Sequence, residues 1–428
     1  MEVDLATIQR VTGMQDVLPE DRAYWDVVVS TAVNLARRYG FQRVDIPILE
    51  YSQLFSRGVG TASDFFVKKE MYTIEESDGS TITLRPEFTA GMVRAYIENG
   101  MANWPQPTKL YVIGPLFRRE RPQAGRFRQH TQFNPEILGV SDPAADLEIM
   151  LLAKNLHREL GYKDLTFQLN STGCPACKPA YVARLVEYLA DYGDVLSDID
   201  LERLNRNPLR ILDSKAENME EILADAPHII DYLCPDCASH FSDLCSLLDS
   251  LGENYSINFR LVRGIDYYTK TVFELWDEAI GAQVALCGGG RYDGLAEAIG
   301  GPSTPGVGVG IGIDRIVIGL KKQAIEVMKT PAPQILVAHF GGETKRSAVD
   351  LTYQLRQEGI GTRLAFAREK RSLKSQLREA NRHEIRYTII IGEDELLKSM
   401  VTVRDMAGGE QTSVSTESLI SWINQRLS

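Results

Sequence analysis

The sequence predicts an α+β protein. An N-terminal domain over residues 1–325 is built on an antiparallel or mixed sheet and carries a helical insertion at 175–251; a small α/β domain follows at 331–428. Three observations predict this. Short strand patterns in the first part are separated by long helical excursions instead of a regular βαβ array. From about Pro175 to Leu251 the β-branched alternation gives way to helix-forming residues. Two prolines in Lys329–Gln334 (KTPAPQ) then discourage helix and strand alike, and beyond them strand and helix patterns alternate cleanly.

Each element has its own signal. Asp21–Tyr39 has apolar residues at helical spacing and Gly40 to stop it. Phe41–Leu49 reads as a strand interrupted by Pro47, which belongs at an edge or bulge. Leu110–Phe117, Pro135–Leu138 and Leu165–Leu169 are short strand patterns, with a helix over Glu148–Leu160. Strand patterns resume at Tyr255–Leu261 and run to about Leu320. Past the linker, Ile335–His339, a helix through Gln357, Gly361–Ala365, a helix to His383 and Tyr387–Ile391 predict a mostly parallel sheet.

The totals narrow the function class. A length of 428 residues allows two or three domains, and 44% hydrophobic with 25% charged residues fits a folded soluble chain. No apolar run approaches the roughly 18–20 residues that span a bilayer. No basic region followed by an apolar stretch marks a secretory signal, and six cysteines fit a reducing cytoplasm. The net charge of −11 excludes a protein that coats nucleic acid by bulk attraction. A local basic surface is still allowed: Arg363–Arg386 holds eight basic and three acidic residues, either a solvated helix face or a phosphate-facing patch.

Five segments carry chemistry. Phe117–Gly139 (FRRERPQAGRFRQHTQFNPEILG) places Arg118, Arg119 and Glu120 at a strand end, before a loop rich in arginine. Arginine's planar fork suits phosphate, although a hairpin laced with salt bridges has the same composition. Gly306–Arg315 (GVGVGIGIDR) alternates glycine with Val and Ile, which on a strand packs one face and strips the other bare. A flat ligand could lie there, or two sheets could approach closely. It is not a dinucleotide fingerprint, and no GxxxxGK[ST] loop occurs. Cys287–Leu295 (CGGGRYDGL) is a glycine-rich turn with Arg291, Tyr292 and Asp293; Thr83–Ala90 (TLRPEFTA) and Leu261–Glu274 (LVRGIDYYTKTVFE) complete the set.

Taken together and in this order, the segments resemble histidyl-tRNA synthetases, a family of class II aminoacyl-tRNA synthetases. The early helix with the Pro47 strand resembles motif 1, the dimer-forming element; FRRERPQAGRFRQ resembles motif 2 and GVGVGIGIDR motif 3. The likeness covers nearly the whole chain. It implies a catalytic domain on an antiparallel sheet and a C-terminal α/β anticodon-binding domain. It also implies a homodimer, ATP with Mg²⁺, L-histidine and tRNA(His) as ligands, and no membrane partner.

By position, the resemblance assigns Arg118 to the α-phosphate, Glu120 to the adenine, Arg315 to the γ-phosphate and Arg263 to charge at the reacting α-phosphate. Glu87, Thr89 and Gln132 would hold the ammonium of histidine. Glu136, Tyr268 and Tyr292, with the neighbouring Tyr267, would line its ring. Arg121 and Gln123 would lie near the acceptor end of the tRNA. The chemistry agrees, because carboxylate attack on phosphorus asks for positioning and charge stabilisation. A site that pairs both imidazole nitrogens also needs no editing domain. Two places depart from the family pattern: Phe88 stands where TLRPEGTA has glycine, and His130-Thr131 replaces Phe-His. A catalytically inactive paralogue, acting as a regulatory or tRNA-binding subunit, is the alternative; it would have no use for three separate phosphate arginines.

Cys174-Pro-Ala-Cys177 and Cys234-Pro-Asp-Cys237 lie 56 residues apart, at the entry of the insertion and near its exit. Four thiolates suit tetrahedral zinc, and four buried free cysteines suit the same sequence.

Overall fold

Eleven strands of the N-terminal unit are β1 (Gln42–Arg43), β2 (Leu49–Tyr51), β3 (Tyr72–Glu75), β4 (Thr81–Leu84), β5 (Thr108–Phe117), β6 (Gln129–Leu138), β7 (Leu165–Ser171), β8 (Tyr255–Ile257), β9 (Thr269–Asp277), β10 (Ala285–Arg291) and β11 (Gly306–Gly312). The computed structural model describes residues 7–60, 70–122, 125–216, 218–277, 285–327, 332–366 and 371–427. The chain divides into two compact units, Met1–Val327 and Met328–Ser428.

The first unit is organised by one sheet in the order β1-β5-β6-β11-β10-β9-β7-β8. From β5 to β7 every pairing is antiparallel, and only the edge strands β1 and β8 run parallel to their neighbours. Helices Pro19–Arg38, Pro143–Glu159 and Ile313–Lys322 bring apolar residues to one face, where Leu35, Ile149, Leu152, Phe133, Phe167, Phe273 and Val309 form a dry core. The site described below occupies the opposite face of the middle strands.

Three local expectations need correction. The Phe41–Leu49 strand is two strands in two sheets, because β1 joins the large sheet while β2 pairs with β4 in a three-stranded one. Between them the carbonyls of Ile46 and Pro47 turn to accept Arg85 Nη1 at 2.6 and 3.1 Å, instead of continuing a ladder. The expected strand from Tyr255 stops at Ile257, and residues 258–268 form turns before β9 begins at Thr269. The arginine and both tyrosines of LVRGIDYY are therefore carried on a loop.

The third correction concerns the helical stretch. Helices Lys178–Ala190, Asp198–Arg206 and Met219–Ala224 enclose a separate small core of Tyr181, Leu185, Ile211, Met219 and Ile229. The last helix, Pro235–Ser250, buries Leu244 and Leu248 in the main core instead. Composition alone cannot separate the two, since both are amphipathic.

The second unit has a sheet whose order by residues is 362–364, 335–339, 387–391, 400–405, 411–415. Its first two pairings are parallel and its last two antiparallel, so the sheet is mixed, not mostly parallel. The loop at 406–410 is too short for a crossover and forces a hairpin. Ile335, Val337, Leu355, Ile389, Val403 and Ile423 make its core.

Candidate active site

Across the middle of the large sheet, β6 and β11 explain each other. Period two sends Gln132, Asn134 and Glu136 to one face of β6, while Phe133 and Ile137 enter the core. Opposite them, Val307, Val309 and Ile311 enter the same core and leave glycines on the polar face, with Glu136 registered against Gly308 and Gln132 against Gly312. The bare face is thus filled partly by the protein itself. A Cβ at Gly308 would overlap the Glu136 carboxylate, one at Gly306 would strike the Tyr292 ring, and one at Gly310 would come within 3.1 Å of Gln132 Oε1.

Glu136 is 1% exposed. Its Oε1 accepts from Thr89 Oγ1 at 2.6 Å and from Asn134 Nδ2 at 3.3 Å; its Oε2 accepts from Tyr292 OH at 2.6 Å. Glu87, 5% exposed, accepts from Ala90 N–H at 2.9 Å in the first turn of helix Thr89–Glu98. Burial pushes both carboxyls up to about 7, against hydrogen bonds that favour their charged forms. The Tyr267 ring completes the wall, 4.8 Å from Tyr268 and 5.6 Å from Tyr292 between centroids. Two acceptors in this pocket, Glu87 Oε2 and Asn134 Oδ1, are buried with no hydrogen-bond partner among the described residues.

The cations gather beside this pocket. Arg118 Nε donates to Pro86 O at 3.0 Å; burial lowers its guanidinium pKa, opposed by Glu120, Glu70 and Glu87. Arg315 donates to Ala285 O at 3.1 Å and Gly125 O at 3.3 Å, and burial with nearby Arg126 and Arg118 lowers its pKa too. Arg263 lies flat on Gly288, where a Cβ would sit 2.8 Å from its Cζ, and donates to Glu274 Oε1 at 2.5 Å. Glu120 has its own carboxylate 3.8 Å from Arg126 Nη1. Three half-buried guanidinium groups, each donating to a main-chain carbonyl or an acid, gather where an anion could replace those contacts.

The fold thus brings Glu87, Thr89, Glu136, Tyr267, Tyr268 and Tyr292 into one pocket and sets Arg118, Arg263 and Arg315 at its side. Gln132 is four residues before Glu136 on β6, with its Nε2 3.5 Å from His130 Nε2. Burial and the nearby Arg118 and Arg315 lower the His130 pKa to about 3. Arg121 is exposed between β5 and β6, and Gln123 lies outside the described residues. Phe88 is fully buried in the core behind β5, with the Arg85 guanidinium 4.6 Å above its ring. The four cysteines of the two CxxC turns meet in one cluster.

The roles of two residues escaped the sequence reading. Asn134 could have been found from the polar alternation Gln132-x-Asn134-x-Glu136. Arg291 is fully buried and donates through Nε to Asp146 Oδ2 at 3.1 Å, through Nη1 to Asp293 Oδ1 at 3.1 Å and to Val140 O at 2.9 Å. With its donors satisfied, that ion pair anchors the end of β10 and so fixes the next residue, Tyr292, against Glu136. No local signal announces it, because Asp146 is 145 residues away.

The chain is similar to known proteins along nearly its whole length. The family model described as Histidyl-tRNA synthetase matches residues 13–316, and one described as Anticodon binding domain matches 334–426. The chain belongs to the histidyl-tRNA synthetase family. It is 43% identical to a histidine–tRNA ligase of Desulforamulus reducens, over 97% of this chain and 99% of that one. It is also 43% identical to one of Pelotomaculum thermopropionicum, over 98% of each. Among solved structures, apo histidyl-tRNA synthetase of S. aureus is similar with TM-score 0.79 and 33% identity, covering 97% of this chain and 99% of that chain. A Bacillus halodurans chain described as an ATP phosphoribosyltransferase regulatory subunit/histidyl-tRNA synthetase shares the fold at TM-score 0.63 and 20% identity, covering 90% and 99%. The fold is that of a class II synthetase with a C-terminal anticodon-binding domain, and the chain is an aminoacyl-tRNA synthetase by family.

Proposed function

We propose that this chain is a working histidine–tRNA ligase whose pocket takes L-histidine and whose arginines take the phosphates of ATP. The observation that carries the reading is the pair of buried, partnerless acceptors, Glu87 Oε2 and Asn134 Oδ1, beside a Glu136 already locked in place. A histidine molecule supplies the missing donors, three from its ammonium and one from its imidazole N–H. Glu87, Thr89 and Gln132 hold the ammonium; Glu136, Tyr267, Tyr268 and Tyr292 enclose the ring.

In the first step a histidine carboxylate oxygen bonds to the α-phosphorus of ATP, and the bond to the β-phosphate oxygen breaks to release pyrophosphate. Arg118 and Arg263 neutralise charge at the α-phosphate, Arg315 holds the γ-phosphate and Glu120 meets the adenine. In the second step a hydroxyl of the terminal tRNA ribose attacks the acyl carbon, forming the ester and freeing AMP. By their position in the sequence, Arg121 and Gln123 are the residues assigned to this end of tRNA(His). Magnesium bound with ATP would offset phosphate charge; hard carboxylate oxygens suit it, and Glu120 and Glu274 are the acids among the phosphate arginines.

A homodimer in the cytoplasm completes the proposal. Ile48, Leu49, Tyr51 and Ile74, 41–58% exposed, give the small three-stranded sheet an apolar surface that a second copy would cover. No described helix is long and apolar enough to cross a membrane. The inactive alternative has no observation in its favour.

The test is pyrophosphate exchange into ATP with the purified chain, which should require histidine and Mg²⁺ together. Absence of histidine-dependent exchange refutes the enzyme, and exchange with another amino acid refutes the specificity. Light scattering should give twice the chain mass.

A further inference from the structure

The reaction above uses none of the cysteines, yet four of them are gathered with care. Cys174 and Cys177 precede helix Lys178–Ala190, and Cys234 and Cys237 open helix Pro235–Ser250. Their Sγ atoms all lie within 4.8 Å of one another; Cys174 Sγ is 3.7 Å from Cys177 Sγ and 3.8 Å from Cys234 Sγ. A regular tetrahedron with metal–sulfur bonds of ~2.3 Å has sulfur–sulfur edges of about 3.8 Å. Disulfide partners would instead need about 2 Å.

The backbone is shaped for this cluster. Cys174 N–H donates to Cys177 Sγ at 3.2 Å. Gly173 takes φ +63°, and a Cβ there would sit 2.8 Å from the same sulfur. Each pair stands at a helix N-terminus, where the partial positive charge offsets thiolate charge. Soft sulfur ligands in tetrahedral array select zinc among the common divalent ions.

We propose that Cys174, Cys177, Cys234 and Cys237 bind one structural zinc ion, which ties together the two ends of the helical segment 178–232 and thereby braces the tyrosine loop of the histidine pocket. The second half rests on the pocket reading given above. The brace is short and continuous. On the chain before Cys174, Thr172 Oγ1 donates to Tyr268 O at 3.1 Å, Thr172 N–H to Lys270 O at 2.7 Å, and Lys270 N–H to Gly173 O at 2.8 Å. On the chain after Cys177, Lys178 Nζ donates to the same Tyr268 O at 3.1 Å. The loop 261–268 is in neither helix nor strand. Tyr268, which closes the pocket beside Tyr267, is therefore gripped from both sides of the first cysteine pair. Metal binding that freezes those turns also freezes its carbonyl.

The test begins with metal analysis of the full chain purified with reductant and without chelator, which should give one zinc per chain. Cobalt replacement should give the strong thiolate-to-metal absorption and visible bands of a tetrahedral sulfur site. Folded protein with no zinc and four freely titrating thiols, or a cobalt spectrum without those bands, overturns the metal site. So does Cys174→Ser protein that still carries a full zinc by the same analysis. These readouts need no activity and survive failure of the pocket reading. For the brace, wild-type protein is depleted of zinc by a mercurial and chelator, checked for retained circular dichroism, and then reloaded. Depletion should raise the histidine KM about tenfold with the ATP KM within twofold, and zinc should restore it. An unchanged histidine KM overturns the brace.

Discussion

The pocket around Glu136 and the arginines beside it solve opposite problems. In the pocket one oxygen set is tied down and the rest is left open: the side chains of Thr89, Asn134 and Tyr292 hold Glu136 and the Ala90 N–H holds one oxygen of Glu87, while Glu87 Oε2 and Asn134 Oδ1 await a donor. Among the arginines, Arg118 and Arg315 each donate to main-chain carbonyls, and Arg263 is tied to Glu274. Carbonyl contacts are weaker than contacts to phosphate oxygens, so a triphosphate can take these donors over. The side-chain network has little freedom to rearrange and suits discrimination, whereas the arginine side suits charge that appears only during reaction.

Breaking the arginine side should have the largest effect. Arg263→Ala should lower kcat on the order of 10²–10³-fold, with the histidine KM moving less than threefold. Pyrophosphate exchange measured across histidine concentrations separates the two constants. An equal loss in both would mean that Arg263 belongs to the pocket and that the contrast between the regions is misdrawn.

The pocket side should break at a glycine that touches no substrate in the reading above. Gly308→Ala puts a methyl group where the Glu136 carboxylate lies. Overpacking of this kind costs about 1–3 kcal/mol, so histidine affinity should fall roughly 10–100-fold while the ATP KM stays put. Calorimetric titration with histidine and with ATP checks this, and a parallel loss of both would point to general unfolding.

The same contrast has a pH signature. Burial holds Glu87 and Glu136 up at about 7, above the ordinary 4.5, so the free folded protein keeps protons that the unfolded chain has lost. Ionising them costs stability, a cost absent below the ordinary value, growing through the window from 4.5 to about 7 and complete above it. An ammonium ion favours the ionised form, so histidine should bind more weakly below pH 6 and release protons on binding there. Calorimetry in buffers of different ionisation heat measures the release. Glu87→Gln should reduce it by close to one proton near pH 6, whereas an unchanged count would place the titrating group elsewhere; the ligand's own imidazole is common to both proteins.

Legibility in the sequence followed the range of the interaction. The glycine alternation at 306–312 and the polar alternation at 132–136 are period-two patterns, and the structure pairs them strand against strand. The arginines were readable because their chemistry is narrow and their motifs resemble a known family. What escaped depends on distant partners. Arg291 needs Asp146 to show that it is an anchor, and Arg85 needs the carbonyls of Ile46 and Pro47 to show why the strand there splits. The LVRGIDYY loop looked like a strand because isoleucine, valine and tyrosine favour one, but it is held from outside by Thr172 and Lys178.

The smallest effect should come from the second unit, where no deep pocket is needed. Helix Leu373–Arg382 buries Gln376 and Ala380, with Gln376 Nε2 donating to His339 O at 2.7 Å. Lys374, Arg378 and Arg382 follow at intervals of four on the exposed side, and none is in an ion pair among the described residues, while Arg371 is held by Glu379 at 2.6 Å. Such a stripe matches the spacing of a phosphate backbone better than a salt-bridged face. Replacing all three with glutamine should raise the tRNA KM about three- to tenfold and lower the salt dependence of binding by roughly 0.7–0.9 per charge removed. Pyrophosphate exchange, which needs no tRNA, should be unaffected. A salt dependence equal to that of the wild type would return the stripe to the status of a solvated face and move the tRNA contact to another part of the unit.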